Sequence, residues 1–191
     1  CFFIMTQQKH PNFIIIGAMK AATTSVYTYL KQHPDVFMPA NKEPMFFNNY
    51  KQENNYFVRG RKTKKIRTLE AYTALFDDIK NEKAIGEASP AYIYNEKTPE
   101  LIKEEIPNVK IIAILRQPIS RAYSNFLHAK RANREPIEKF EDQRHEIFFT
   151  SSEISSIRSY QPVLPMIKAV SASLAALAFS KTLSPSEKSI A

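Results

Sequence analysis

Lys20 stands three residues after Gly17 and is followed, across Ala21 and Ala22, by three hydroxyl residues in a row, Thr23, Thr24 and Ser25. One ammonium and three hydroxyls packed this closely ahead of a helix start suit an anion. The first N–H groups of a helix have no internal partner and carry the positive end of its dipole, so a phosphate placed there meets backbone donors as well as the lysine. The elements that must position these groups lie on either side. Phe13 to Ile16 is an apolar run leading into Gly17, the pattern of a buried strand. Beyond Ser25, the residues Val26, Tyr29 and Leu30 recur at helical spacing on one face. Strand, tight loop and helix together make a phosphate-gripping device; the bland alternative is the same three elements with an exposed lysine.

The loop departs from the nucleoside-triphosphate pattern of Gly, four residues, Gly, Lys and Ser/Thr. Counted from Gly17, Ala22 holds the place of the second glycine and Thr23 that of the lysine. Lys20 instead falls inside the loop, before the helix, from where it reaches across the front of a bound phosphate.

A second apolar run, Val109 to Leu115, ends at Arg116, and Pro118 then opens a helix whose spacing turns Ile119, Tyr123, Phe126 and Leu127 inward. Ala84 to Ala88 reads as a third, short buried strand carrying one acid, Glu87. Thr68 caps a helix with the stripe Leu69, Tyr72, Phe76 and Ile79, and Thr98-Pro99-Glu100 begins another. Strands alternating with helices predict an α/β fold, a parallel sheet flanked by helices with a P-loop-like core. Ligands of such sheets bind beyond the carboxyl ends of strands, where the Gly17–Ser25 and Arg116–Ser124 stretches both lie. Between them comes Lys42-Glu43-Pro44, the charged start of a short segment with an aromatic end, in which Glu43 either does acid–base work or pairs with Lys42 or another surface cation. Glu87 and Ser89 are read as structural, Glu87 orienting a loop residue. His33 makes a turn contact before Pro34.

The 191 residues suit one domain, and a hydrophobic content of 43% supplies a core. The net charge of +8 favours an anionic partner. The cluster Arg59, Arg61, Lys62, Lys64, Lys65 and Arg67 has no interleaved aromatic residue, which argues for a solvated loop and against a nucleic-acid platform. A single cysteine, Cys1, excludes an internal disulfide framework. No apolar run reaches the roughly 20 residues that span a bilayer, and the expected location is cytoplasmic. The histidines lack ligand spacing with any carboxylate or cysteine cluster, so no metal is expected. The expected organisation is a leader over residues 1–11, an α/β domain over 12–142 and a serine-rich tail over 143–191. One amphipathic helix is expected in that tail at Met166 to Phe179 and no strand.

Five stretches in order carry a resemblance: residues 13–25, Gln32-His-Pro-Asp-Val36, Lys42-Glu-Pro-Met-Phe-Phe47, Gly86-Glu-Ala-Ser-Pro-Ala-Tyr92 and residues 110–124. Over roughly residues 11 to 142 the chain resembles the sulfotransferases that use 3′-phosphoadenylyl sulfate, in particular the heparan-sulfate-sulfotransferase-like branch and its bacterial relatives. The resemblance implies transfer of a sulfuryl group from that co-substrate to a hydroxyl or amine of a saccharide or small metabolite. Lys20, Ala21, Ala22, Thr23, Thr24 and Ser25 then match the segment that holds the 5′-phosphosulfate, and Arg116 and Ser124 the pair on the 3′-phosphate. Glu43 matches the catalytic base, and Lys20 supplies charge at the leaving phosphate. Two departures stand out. The family loop has glycine where this chain has Ala22, harmless if the local angles are helical and costly to donor affinity if not. The basic, glycine-containing loop of relatives is not found after about Gln143, so the tail reads as truncated, diverged or in another frame. A P-loop nucleotide kinase or NTPase and an inactive fragment acting as an anion-binding module are the alternatives. Acceptor identity and oligomeric state are not legible.

Overall fold

A computed structural model describes residues 10–51, 66–134, 136, 138–140 and 167–171; residues 167–171 are described as backbone only. The basic cluster from Arg59 to Lys65, His145 and residues 166 and 172–179 of the expected tail helix lie outside these residues, as do most of the proposed leader and tail.

Phe13–Gly17 forms strand β1, and all five of its residues are buried. A strand covered on both faces belongs in the middle of a parallel sheet, because crossover helices shield both sides. The sheet accordingly runs β2-β3-β1-β4-β5. Here β2 is Val36–Phe37, β3 is Ala84–Ala88, β4 is Lys110–Leu115 and β5 is Ile167–Ser171. All four pairings are parallel, with Phe13 aligned to Gly86 on one side and to Lys110 on the other.

Alternate β1 residues feed two cores. Ile14 and Ile16 join Phe46, Phe47, Tyr72, Phe76, Tyr92 and Ile102 on one face. Phe13 and Ile15 join Ala18, Ala21, Val26, Tyr27 and Met38 on the other. The second face is covered by helix α1, Thr23–Lys31. The first is covered by α2 (Phe46–Asn49), α3 (Leu69–Thr73) and α4 (Thr98–Glu105). Helix α5, Pro118–Arg131, follows β4. Local signals act as expected at several ends: Thr68 Oγ1 accepts from the Ala71 N–H at 3.3 Å, proline opens both α4 and α5, and His33 Nδ1 accepts from the Asp35 N–H at 3.1 Å.

Three expectations are corrected. Ile167–Ser171 is a strand paired with Ile111 to Leu115, where helical spacing predicts a helix and no strand. The open edge of β4 offers a full row of backbone partners, and tertiary pairing of this kind overrides a local helical pattern. In α5, Ile119 and Tyr123 are 66% and 49% exposed, while Arg121, Ala122 and Phe126 take the inward face. In α1, Tyr29 is outside and Tyr27 is buried, its hydroxyl donating to the Pro39 carbonyl at 2.7 Å. Val26 and Phe126 are buried as expected, so each inward face overlaps the stripe read in the sequence and is turned away from Tyr29, Ile119 and Tyr123.

Candidate functional site

The loop from Ala18 to Ala22 leaves the carboxyl end of β1. Its first amide, that of Ala18, donates to the Ile114 carbonyl at 2.7 Å, which binds the loop to β4. The chain then turns sharply: the Ala21 N–H donates to Ala18 O at 3.2 Å, and Lys20 and Ala22 both take left-handed angles, φ 64° and 65°. Ala22 is the N-cap of α1, with ψ 19° and no side-chain capping bond. The first intrahelical bond runs from the Val26 N–H to Ala22 O at 3.1 Å, so the N–H groups ahead of it have no partner within the helix. No acidic residue sits in that first turn. Thr23 is buried, and Ala22, Thr24 and Ser25 face solvent. The angles of Ala22 are therefore not helical, and its methyl occupies a conformation that glycine adopts freely.

Arg116, the residue after β4, is drawn to this loop: its guanidinium donates to the Lys20 carbonyl at 3.3 Å. The Lys20 amine is half-buried, and its pKa is lowered first by that burial, then by the positive charges of Arg131 and Arg116. Lys20, Arg116 and Arg131 thus form one cationic cluster, with no ion pair to a carboxylate among the described residues. Concentrated like charge of this kind is unfavourable until an anion arrives. Arg131 was not singled out from the sequence, although a signal exists: it lies seven residues, two helical turns, after Ser124 on α5, which puts both on one helix face. Ser124 itself is partly buried, and no hydrogen bond joins it to Arg116.

The third wall comes from the Lys42-Glu43-Pro44 turn. The Glu43 N–H donates to the Ala88 carbonyl at the end of β3 (3.1 Å), and the Met45 N–H donates to Ser89 Oγ (3.1 Å). The Ser89 N–H in turn donates to Ile15 O at 3.0 Å, hooking the β3 end onto β1. Glu43 and Met45 are both left-handed, φ 61° and 52°. The Glu43 carboxylate, 15% exposed, is ion-paired with the neighbouring Lys42 ammonium, so the contact weighed as an alternative to acid–base work is present. The ends of β1, β3 and β4 therefore carry Lys20, Glu43 and Arg116 on the same edge of the sheet. No group of three or more His, Cys, Asp and Glu with metal-binding proximity occurs among the described residues.

Comparison with known proteins gives a consistent set of similarities. The profile described as the Sulfotransferase family matches residues 11–154. The membrane-associated sulfotransferase kil1 of Dictyostelium discoideum is 36% identical over 141 residues, 71% of this chain and 28% of that protein. The bifunctional heparan sulfate N-deacetylase/N-sulfotransferase 4 of Mus musculus is 32% identical over 133 residues, 66% of this chain and 14% of the relative. Heparan sulfate glucosamine 3-O-sulfotransferase 5 of Mus musculus is 31% identical over 137 residues, covering 70% and 36%. Among solved structures, a sulfotransferase from Alicyclobacillus acidocaldarius superposes with a TM-score of 0.75 at 29% identity, over 88% of this chain and 76% of that one. The chain thus spans well under half the length of these three sequence relatives.

Proposed function

The chain belongs to the sulfotransferase family, and on that premise we propose that it transfers a sulfuryl group from 3′-phosphoadenylyl sulfate to a hydroxyl or amine, on a saccharide or another small metabolite. The observation that carries this reading is the cluster of Lys20, Arg116 and Arg131 where β1 and β4 end, with no carboxylate paired to it among the described residues. A donor with phosphates at both ends of its ribose suits two separated sources of positive charge. Membership in this family favours it over a nucleoside triphosphate.

The loop Lys20, Ala21, Ala22, Thr23, Thr24 and Ser25 binds the 5′-phosphosulfate through the lysine, the hydroxyls and the free N–H groups of α1. Arg116 and Ser124 bind the 3′-phosphate, the arginine offering parallel donors to a terminal phosphate. Transfer is in line: the acceptor oxygen or nitrogen forms a bond to sulfur, the sulfur–oxygen bond to the 5′-phosphate breaks, and the electron pair stays on the phosphate oxygen. Lys20 stabilises that developing charge, a task of positioning and electrostatics comparable to phosphoryl transfer. Glu43 takes the acceptor's proton, a step worth about 10²–10⁴-fold. For this it must exchange its Lys42 partner for the acceptor, and the docked backbone of the turn holds it at the sheet edge while it does so. No residue of this scheme needs a metal ion.

Calorimetric titration with adenosine 3′,5′-bisphosphate tests the reading. Binding at least about tenfold tighter than AMP is expected, a difference of about 1.4 kcal/mol, and Arg116→Ala should erase most of that preference. Absence of binding at millimolar ligand, or equal affinity for AMP, refutes it.

A further inference from the structure

Glu87 sits in the middle of the sheet, on β3 and opposite Ile14 of β1, with no solvent exposure. Carboxylates are almost never buried without a partner, yet neither of its oxygens completes a hydrogen bond of good geometry among the described residues. The titratable groups that face it are two hydroxyls, Tyr72 from α3 and Tyr92 from the one-turn 3-10 segment Tyr92–Tyr94. Its register partner Ile14 on β1 belongs to the apolar core that also holds Phe46 and Phe47 from α2.

Those two tyrosines frame α2. The Tyr72 ring stacks on Phe46 with centroids 4.3 Å apart, and Tyr92 meets Phe47 edge-on at 5.7 Å. The Tyr92 hydroxyl also accepts from the Phe47 N–H at 3.4 Å. Helix α2 begins immediately after the turn that carries Glu43, and its cap, Met45, is the left-handed residue anchored on Ser89. A continuous chain of contacts therefore runs from the Glu87 carboxyl through Tyr72 and Tyr92 to Phe46 and Phe47, and on to Met45 and Glu43.

We propose that Glu87 is a positioning residue for Glu43: as a neutral buried acid between the Tyr72 and Tyr92 hydroxyls, it fixes the two rings that clamp α2 and so holds the strained turn in place. The proposal rests on the reading of Glu43 as base. Burial pushes Glu87 up to about 8, the two hydroxyls only partly opposing it, while both tyrosines are raised well above their ordinary value and remain phenols. Glu87 is thus the group in this cluster that changes charge between neutral and mildly alkaline pH. An unpaired carboxylate in an apolar core drives its surroundings to open toward water.

Hydrogen exchange of the full chain, read at the 45–49 amides against the Ile14–Ile16 amides as internal reference, tests this directly. From pH 7 to pH 9 the wild-type 45–49 amides should lose about tenfold more protection than the reference, since Glu87 is then about nine-tenths ionised. Glu87→Gln, neutral at every pH and of the same shape, should abolish the differential loss. With 3′-phosphoadenylyl sulfate as saturating donor and a glucosamine-containing oligosaccharide as acceptor, wild-type kcat should fall further over the same range than that of Glu87→Gln, the alkaline decline that Lys20 imposes being common to both. Wild-type protection that survives at pH 9, or a Glu87→Gln variant with the same alkaline loss, overturns the proposal. Failure to bind adenosine 3′,5′-bisphosphate alongside the expected exchange behaviour would refute the role of Glu43 and leave the coupling of Glu87 to the turn intact.

Discussion

Replacing Ala22 by glycine should stabilise this protein, against the ordinary effect of that substitution. Ala22 is exposed and caps α1 at φ 65° and ψ 19°. A Cβ in the left-handed region costs about 1–2 kcal/mol relative to glycine, and alanine is also among the poorest N-cap residues; both statements describe one steric and polar deficit and are not added. Against the gain stands the extra freedom that glycine gives the unfolded chain, about 0.4–1 kcal/mol. The net is a stabilisation of about 0.5–1 kcal/mol, or about 1–4 °C in Tm for a chain of this size. Ala21→Gly is the internal control. Ala21 is fully buried and does not have positive φ, so glycine there loses a packed methyl and gains unfolded-state freedom, for about 1–2 kcal/mol of destabilisation. Scanning calorimetry of the two variants beside wild type, at one pH and salt concentration, reads the difference in sign. Affinity of Ala22→Gly for adenosine 3′,5′-bisphosphate should hold or rise, since no donor is lost. If both variants are destabilised alike, the left-handed loop is wrong, and with it the argument that the family's glycine is missed at this position.

Gly86→Ala should be severe, because a Cβ there would lie 2.0 Å from Phe13 Cζ and 2.3 Å from Cε2; overpacking of this kind costs about 1–3 kcal/mol or more, and chemical denaturation should show Phe13→Leu recovering part of it. Glu87 should impose a pH slope on stability. Its folded value is about 8 against 4.5 unfolded, so the native state holds a proton that the unfolded chain releases. The stability is fully present below pH 4.5 and is lost at up to about 1.4 kcal/mol per unit until pH 8, roughly 5 kcal/mol in all. Urea titrations across this window should show that slope in wild type and not in Glu87→Gln, and equal slopes would contradict it. The Lys20 amine, lowered by burial, Arg131 and Arg116, should lose its charge at lower pH than an ordinary lysine. Bisphosphate affinity should therefore decline on the alkaline side in wild type and be weak throughout in Lys20→Ala, as titration calorimetry would reveal.

The parts of the fold written as contiguous apolar runs were legible: Phe13 to Ile16 is fully buried, Ile111 to Leu115 is buried or partly buried throughout, and both are inner strands of the sheet. The loop lysine and the strand-end arginine were legible for the same reason, since each interrupts or ends such a run. What escaped was fixed by distant partners. Val36–Phe37 is two residues long and becomes a strand only beside Ala84–Ile85. Ile167–Ser171 is drawn into the sheet by the edge of β4. Periodicity placed α5 and the burial of Phe126 but misjudged its roll at Ile119 and Tyr123, because Ala122 lies only one residue from Tyr123 and Arg121 took an inward place. Arg131 was missed because its relevance to Lys20 depends on where α5 lies, and the left-handed angles of Ala22 and Glu43 belong to loops whose shape no local residue signals.

Strand β1 does not pair with β2, the strand that follows it in the chain: Phe13 must find both Gly86 and Lys110. During synthesis, at about 5–20 residues per second, the Ile14–Ile16 run leaves the ribosome several seconds before its first partner exists, roughly 70 residues later. Its second partner follows after a further helix. Helix α1 can cover one face early through Val26 and Tyr27, but the ladder edges stay open, since closure of distant pairs is slow. The same apolar segment that holds the middle of the sheet is therefore, in the nascent chain, an unpaired strand edge open to aggregation until β3 is made.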